Sequence, residues 1–211
     1  MITYQEVLSD PLIIKIYSNV DKVRVNNWAG HGLTHIAKSI NNMKKIAQVC
    51  GLEDKQMLEN ALIACALHDV GMIAGKPQHA KRSFKFAKAY LKNKVDKKSK
   101  RQIISAIKNH SQIRPSAPLC EKLLVLADKL DMDHLRILPG GKGIPGMRQV
   151  ESISKIDILV TNQTLVVEFF ITKTFNQTEW DNYYFTTKMQ LATANFCHCF
   201  KLNWEFKYTN I

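Results

Sequence analysis

Hydrophobic residues recur at helical spacing along most of the first 136 residues. In the segment that begins at His35, apolar and small residues return every three or four positions as far as Cys50, and Gly51 follows as a stop signal. Asp10 and Pro11 are typical of a helix N-cap and first helical residue. The pattern predicts helices from residue 11 onward and over 35–50, 53–69, 79–91, 99–110 and 118–136.

The pattern changes after Arg136. The segment LPGGKGIPGMRQ contains four glycines and two prolines, which excludes a regular helix. KIDILV and LVVEFFIT are β-rich, and the TNQT between them predicts a hairpin. LNWEFKY predicts another strand, and the preceding DNYYFTTKMQLATANFCHCF predicts a helix with Asp181 as its cap.

These elements predict a mainly α-helical protein with a small C-terminal α+β appendage built from a hairpin, a helix and a strand. Residues 1–138 would form the helical domain, 139–150 a Gly/Pro-rich linker or loop, and 151–211 the appendage. A unit this small buries too little apolar surface to be stable alone. We therefore expect it to pack on the helical domain.

Composition restricts the class of protein. Of the 211 residues, 45% are hydrophobic and 23% charged, as in a globular chain. No apolar run approaches the roughly 20 residues of a membrane span, and the first residues lack the features of a secretion signal. Five scattered cysteines are typical of reduced thiols. We expect a cytoplasmic protein with no membrane partner.

The net charge of +12 is concentrated in the first part of the chain. Residues 1–150 hold 25 Lys/Arg and 12 Asp/Glu, or +13, whereas residues 151–211 hold 5 and 6, or −1. Such a field favours phosphate-bearing partners, either small nucleotides or nucleic acid. A solvated lysine-rich surface that serves only solubility is the alternative.

Several histidines and aspartates occupy the inner faces or ends of the predicted helices. Burying an unpaired carboxylate is costly, so a cation is a natural partner for them. Imidazole and carboxylate suit iron, manganese, zinc, nickel or magnesium, and the lack of thiolate partners argues against a structural zinc site. The candidate metal ligands are His35, His68, Asp69, His79, His110 and Asp128.

The adjacent residues His68 and Asp69 raise a geometric question. Neighbours on a helix point about 100° apart. Both side chains can still reach one cation that sits over the helix end. A carboxylate can also bridge two cations, whereas an imidazole cannot.

The order of these residues resembles that of the HD-domain metal-dependent phosphohydrolases. The resemblance rests on His35, on the HD dipeptide in ALHDVG, and on Asp128 in LLVLADKLDM, and it extends over roughly residues 28–138. HAKRSFKFAKAYL and IISAIKNHS are similar to the family segments that supply two further histidines in binuclear members. The resemblance implies an HD-type helical bundle around the metal site.

The resemblance also implies roles for the residues. His35, His68, Asp69 and Asp128 would be the core ligands, with Asp69 as the bridge and both His68 and Asp69 taking part in catalysis. His79 and His110 correspond to the extra ligands of a second metal. In mononuclear relatives, histidines at similar places contact substrate phosphate or donate protons. One or two divalent cations per chain (Fe, Mn, Ni or Zn) are therefore expected.

Two positions depart from the family pattern. Many relatives continue the motif as HDxGK, where the lysine can touch phosphate, but this chain has Met72, so Lys76 or Lys129 would take that role. Ser111 stands where the cyclic-dinucleotide phosphodiesterases often have a second consecutive histidine, and their GYP segment is absent. This argues against a cyclic-di-GMP substrate.

His31, four residues before His35, is either a substrate or ligand-supporting contact or a solvated residue at a helix start.

Three functions are compatible with these features. The leading interpretation is a hydrolase that cleaves a phosphoester of a nucleotide or another small anionic metabolite through metal-activated water. The first alternative uses the same ligands in a di-iron oxygenase of the HD type. The second is a non-catalytic module that binds a nucleotide or nucleic acid. The expected partner is a small phosphorylated substrate, and homo-oligomer formation stays open.

Overall fold

The computed structural model describes residues 1–23 and 28–211. The helices are α1 (Tyr4–Ser9), α2 (Pro11–Val20), α3 (Leu33–Val49), α4 (Lys55–Leu67), α5 (His79–Tyr90), α6 (Lys97–Asn109), α7 (Leu119–Lys129), α8 (Gln177–Asp181) and α9 (Tyr184–Cys197). The strands are β1 (Ile153–Thr161), β2 (Thr164–Ile171) and β3 (Asn203–Asn210). Short 3-10 turns occupy Val70–Ala74, Pro139–Gly141, Met147–Ser152 and His198–Phe200.

Helix α4 lies at the centre of the helical part. From Ala61 to Leu67 its sequence is apolar on all sides, and such a stretch must be covered on all sides. α3, α6 and α7 pack around it, and α1 contacts it near the N-terminus. α7 is likewise buried from Cys120 to Lys129. The two most deeply buried helices therefore end close to the same place, with His68 and Asp128 at their C-terminal ends.

Local signals set several helix boundaries as predicted. The Asp10 carboxylate accepts a hydrogen bond from the Leu12 amide at 2.9 Å and caps α2, which has Pro11 at its first position. Gly51 ends α3 with a φ of 64°, a left-handed conformation that favours glycine.

Three helix boundaries were predicted wrongly. α4 ends at Leu67 rather than at 69, because the chain tightens there into the 3-10 turn. α7 ends at Lys129 rather than at 136, because residues beyond it contact α3 instead of continuing the helix. Asp131 binds His35, and Asp133 pairs with Lys38. Tertiary contacts there override helix propensity. The helix predicted to be capped by Asp181 begins at Tyr184 instead. Asp181 is the last residue of the preceding helix, α8.

The appendage forms a three-stranded sheet in the order β1-β2-β3. β1 and β2 are an antiparallel hairpin whose turn residues, Asn162 and Gln163, both have positive φ (47° and 58°), as a tight hairpin turn requires. β3 pairs with β2 in parallel after the crossover through α9. α9 contacts α7 and β1 contacts α3. The predicted mainly α fold with a small C-terminal α+β appendage is thus confirmed.

Among the described residues, one stretch has the length and composition of a membrane span. Lys55–Ala74 has a mean hydropathy of 1.3, but 78% of that apolar window is buried inside the protein. Core helices of soluble proteins share this property, so the stretch is weak support for a membrane association.

Candidate metal centre

Four side chains meet where α3, α4 and α7 converge. The Nε2 atoms of His35 and His68 lie 3.3 Å apart. Asp128 Oδ1 lies 3.2 Å from His35 Nε2 and 3.6 Å from His68 Nε2. Asp69 Oδ2 lies 3.6 and 3.4 Å from the same two nitrogens. These four atoms form the first cluster, and the five separations given above are those of donor atoms around one ion at about 2.0–2.2 Å.

A second cluster lies on the other side of Asp69. Its Oδ1 atom is 3.5 Å from both His79 Nε2 and His110 Nε2, and these two nitrogens are 3.0 Å apart. His79 is the first residue of α5, and His110 follows the end of α6. The structure thus brings together all six predicted ligands, with one oxygen of Asp69 facing each cluster.

The donors present fit metal cations. Asp69 is 1% exposed, and its Oδ1 atom is buried without a hydrogen-bond partner among the described residues. A buried, unpartnered carboxylate oxygen is strongly unfavourable unless a cation compensates it. The donor set, imidazole nitrogen and carboxylate oxygen without thiolate, suits iron, manganese, nickel or zinc.

The second nitrogen of each histidine is anchored. Nδ1 of His68, His79 and His110 lies within 2.8 Å of the backbone carbonyl oxygen three residues earlier. His35 Nδ1 lies 2.7 Å from Asp131 Oδ2. A proton on Nδ1 donates to each of these oxygens and leaves the Nε2 lone pair directed at the cluster, the arrangement usual for metal-bound histidines.

Local backbone geometry answers the question about the HD dipeptide. α4 stops at Leu67, His68 keeps helical φ and ψ (−64°, −31°), and Asp69 leaves the helix with φ −109° and ψ 8°. The two side chains are therefore no longer subject to the 100° separation of a continuous helix. Both reach the first cluster across the end of α4.

Gly71 lets α5 approach the HD turn. A Cβ at this position would lie 2.3 Å from the backbone oxygen of His79 and 2.8 Å from the backbone nitrogen of Ser83, closer than atoms pack. The Gly71 amide instead donates to Ser83 Oγ at 2.9 Å. Arg82 fastens the same turn by donating to the carbonyl oxygens of Gly71 and Pro77. This close packing brings His79 to Asp69.

The electrostatics of the centre call for positive charge. Burial lowers the pKa of His35, but the carboxylates of Asp128 and Asp131 outweigh that effect and raise it to about 10. For His68, burial is likewise outweighed by Asp69 and Asp128, and its pKa rises to about 10. Burial raises the pKa of Asp69, yet His68 and His31 together hold it well below its usual range. Divalent cations would supply the same charge while leaving each Nε2 free to coordinate.

The three predicted substrate contacts all line one cavity of about 140 Å³ above the clusters. His31 Nδ1 lies 2.6 Å from Asp69 Oδ2, so this histidine belongs to the centre and is not a solvated residue. Lys129 is buried with its Nζ atom 2.5 Å from Asp128 Oδ2. Lys76 reaches the same cavity, whereas Met72, at the position of the family lysine, is buried in the core.

Sequence reasoning missed three supporting residues. Asp131 binds His35, and Arg136 donates from Nη1 to Asp131 Oδ2 at 2.9 Å. Asp21 accepts hydrogen bonds from the amides of His31 (2.6 Å) and Gly32 (3.1 Å) and so fixes these two residues at the start of α3. Asp131 lies within the quoted LLVLADKLDM segment and could have been noted there, but Arg136 and Asp21 carry no sequence signal of this role.

The two-cluster geometry predicts a selective metal loss. His79→Ala and His110→Ala should each reduce bound metal by about one equivalent, because only the second cluster loses a donor. His35→Ala, a matched change in the first cluster, should weaken the other cation. Metal content by mass spectrometry after dialysis checks this. Unchanged occupancy in both His79→Ala and His110→Ala would assign these histidines to substrate instead.

Two comparisons with known proteins found a similarity. A model of the HD domain matches residues 32–133, a range that contains all six candidate ligands. The chain is also similar to the crystal structure of a predicted HD superfamily hydrolase from an uncultured Thermotogales bacterium, with 22% sequence identity and a TM-score of 0.48. That alignment covers 61% of this chain and 68% of the other. No curated protein matches the chain. The HD-domain match at residues 32–133 confirms the resemblance seen in the sequence.

Proposed function

We propose that this protein is a metal-dependent phosphohydrolase that cleaves a phosphoester of a nucleotide or another small anionic metabolite. One observation carries the proposal: the two oxygens of Asp69 face two donor clusters at the floor of a cavity whose wall is cationic. The cationic side chains that line this cavity are Lys76, Lys129, Arg136 and Lys188. Two cations bridged by a carboxylate and surrounded by positive side chains suit a transferring phosphoryl group.

Two cations fit the centre better than one. Asp69 offers one oxygen to each cluster, and the Nε2 atoms of His79 and His110 lie 3.5 Å from Oδ1, the oxygen that the first cluster does not use. Divalent cations in the two clusters would supply Lewis-acid charge and lower the pKa of a water molecule. We propose Fe, Mn, Ni or Zn at both places.

The chain's own residues would bind and orient the phosphoryl group. Lys129 and Arg136 are held next to the first cluster by their ion pairs with Asp128 and Asp131. Because these cations are fixed before substrate arrives, they can stabilise developing negative charge without reorganisation. Lys129 is already paired with Asp128, whereas Lys76 has no carboxylate partner among the described residues. Lys76 is therefore a better replacement than Lys129 for the lysine that Met72 displaces.

The alternatives use the same residues differently. A di-iron oxygenase would have the same ligand set, but it would not require several cationic side chains around the cavity. A binding module without turnover would not require a complete double cluster. The cationic cavity wall together with both clusters favours hydrolysis of an anionic ester.

We expect hydrolysis to depend on divalent metal and on ionic strength. Steering of an anion by the basic surface is screened within about 8 Å at physiological salt, whereas chemistry inside the cavity is not. Rising salt should therefore lower kcat/KM and leave kcat nearly constant. The measurement is phosphate release from a panel of nucleotides and sugar phosphates by metal-loaded protein and by protein stripped with a chelator.

Two results would contradict the proposal. One is the absence of phosphate release from every phosphoester with each of the four metals. The other is oxygen consumption by the iron-loaded protein without phosphate release, which would favour the oxygenase.

A further inference from the structure

The cavity above the metal centre extends from the buried Asp69 to the half-exposed Trp28 and Tyr184. A phosphoryl group bound at the floor would occupy its deepest part. The rest of the substrate must then lie at the mouth, so the mouth residues decide which substrates bind.

Two aromatic rings stand at this mouth. Trp28 and Tyr184 both line the cavity, and they are 53% and 51% exposed. Aromatic side chains of this size are usually more buried, because they carry a large apolar area. Tyr184 packs edge-on against Tyr183, with ring centroids 4.9 Å apart. About half of the Tyr184 side chain stays exposed beside that contact and can receive a flat group.

The backbone that carries Trp28 is fixed. The Trp28 carbonyl oxygen accepts a hydrogen bond from the Leu138 amide at 3.0 Å. Its neighbour Ala29 forms an antiparallel bridge with Ile137. A Cβ on Gly141 would lie only 2.3 Å from the Trp28 oxygen, so this glycine allows the close approach. The 137–141 segment therefore holds Trp28 at the mouth.

The start of α9 is also fixed, through Tyr183 and Glu179. Gly146 has a φ of 77°, and a Cβ there would lie 2.4 Å from Tyr183, so the tyrosine packs directly on this glycine. The Glu179 carboxylate accepts from the Gly146 amide at 2.6 Å and pairs with Arg148. Rings on an already ordered backbone bind a flat ligand at a low entropic cost.

Each ring is accompanied by an ammonium group. Lys76 Nζ lies 6.0 Å from the centroid of the Trp28 ring, and Lys188 Nζ lies 5.1 Å from that of Tyr184. Among the ion pairs of the described residues, neither lysine has a carboxylate partner. The mouth thus offers flat apolar surface and unpaired positive charge together, a combination that suits an anionic ligand with a planar ring.

We propose that Trp28 and Tyr184 are specificity-determining residues that select phosphoesters whose non-phosphate part ends in a planar aromatic ring. This inference rests on the proposed phosphohydrolase function, in which the phosphoryl group occupies the floor. Both residues lie outside the HD-domain match at 32–133. The selectivity is therefore supplied by the loop before α3 and by the C-terminal appendage.

The test compares adenosine 5′-monophosphate with ribose 5-phosphate, which share sugar and phosphate and differ by the ring. We expect the metal-loaded protein to prefer the ring-bearing compound by about tenfold, or about 1.4 kcal/mol, within the range of one base stacked on an aromatic side chain. Trp28→Ala and Tyr184→Ala should each reduce this ratio to about threefold or less. Tyr184→Phe keeps the ring and should keep the ratio.

Trp204→Ala is the matched control. Trp204 is an exposed tryptophan on β3 that does not line the cavity, so its removal should leave the ratio unchanged. Unchanged metal content and melting temperature in the two mouth variants would show that fold and metal centre persist. The ratio is taken from kcat/KM where hydrolysis occurs and from calorimetric dissociation constants where it does not.

The two readouts separate this inference from the proposed function. Equal binding of both compounds, or a ratio that neither mouth variant changes, overturns ring selection even if both compounds are hydrolysed. Ring-selective binding that the mouth variants abolish supports the inference even if neither compound is hydrolysed. In that case only the hydrolase proposal loses support.

Discussion

Asp69→Asn should remove the bridge between the two metals, weaken the binding of both and abolish the hydrolysis. The amide keeps the shape of the side chain but replaces a charged oxygen by an NH2 group that cannot coordinate a cation, and each oxygen of Asp69 faces a different cluster. We expect activity to fall by more than the 10–100-fold that is typical, as a rough range, of changes to residues that support metal ligands. Metal content and phosphate release measure the two losses.

Asp131→Asn is a milder change to the same centre and serves as the comparison for Asp69→Asn. Asp131 orients His35 and lies outside both clusters, so its change should weaken metal affinity by about 10–100-fold. The melting temperature of the metal-free proteins would report whether either change affects the fold. Metal occupancy and activity in Asp69→Asn equal to those of the unaltered protein would exclude the bridging role and the proposed mechanism together.

Removal of residues 151–211 should prevent the rest of the chain from folding stably. α7 is buried along its length, and part of its cover is α9, in which Met189 and Phe196 are fully inaccessible. The truncated chain 1–150 would expose this surface of α7, at a cost of roughly 1.5–3 kcal/mol for each large apolar side chain uncovered. Circular dichroism during heating should show no cooperative unfolding, and metal binding should be weak.

Phe196→Ala in the full chain provides a milder form of the same test. It removes one fully buried ring from α9 and should lower the free energy of unfolding by about 3–5 kcal/mol while leaving the metal ligands in place. A 1–150 fragment that unfolds cooperatively and retains full activity would instead make the appendage an independent unit.

The parts of the structure that were predictable from sequence depend on local or strongly ordered signals. The succession of His35, the HD dipeptide and Asp128 identified the family because donors in this order are specific, and the caps at Asp10 and Gly51 act within a few residues. The hairpin turn at Asn162 was readable for the same reason.

The parts that were not predictable depend on contacts between distant segments. α7 ends at Lys129 because Asp131 is needed at His35, 96 positions away in the chain. The parallel pairing of β3 with β2 depends on how α9 crosses the helical domain, which periodicity does not reveal. The close packing of Gly71 on α5 explains how His79 reaches Asp69, but a glycine after an HD dipeptide also suits an ordinary helix stop.

The single carboxylate shared by two clusters has a thermodynamic consequence. Asp69 gives one oxygen to each cluster, so occupancy at one alters the charge available to the other. Linkage requires the effect to be reciprocal: the factor by which the first cation changes the affinity for the second equals the factor in the opposite direction. Under the proposed two-metal loading, the cations would be taken up as a coupled pair, and the loaded fraction would follow the free metal concentration along a curve that two independent sites would not produce.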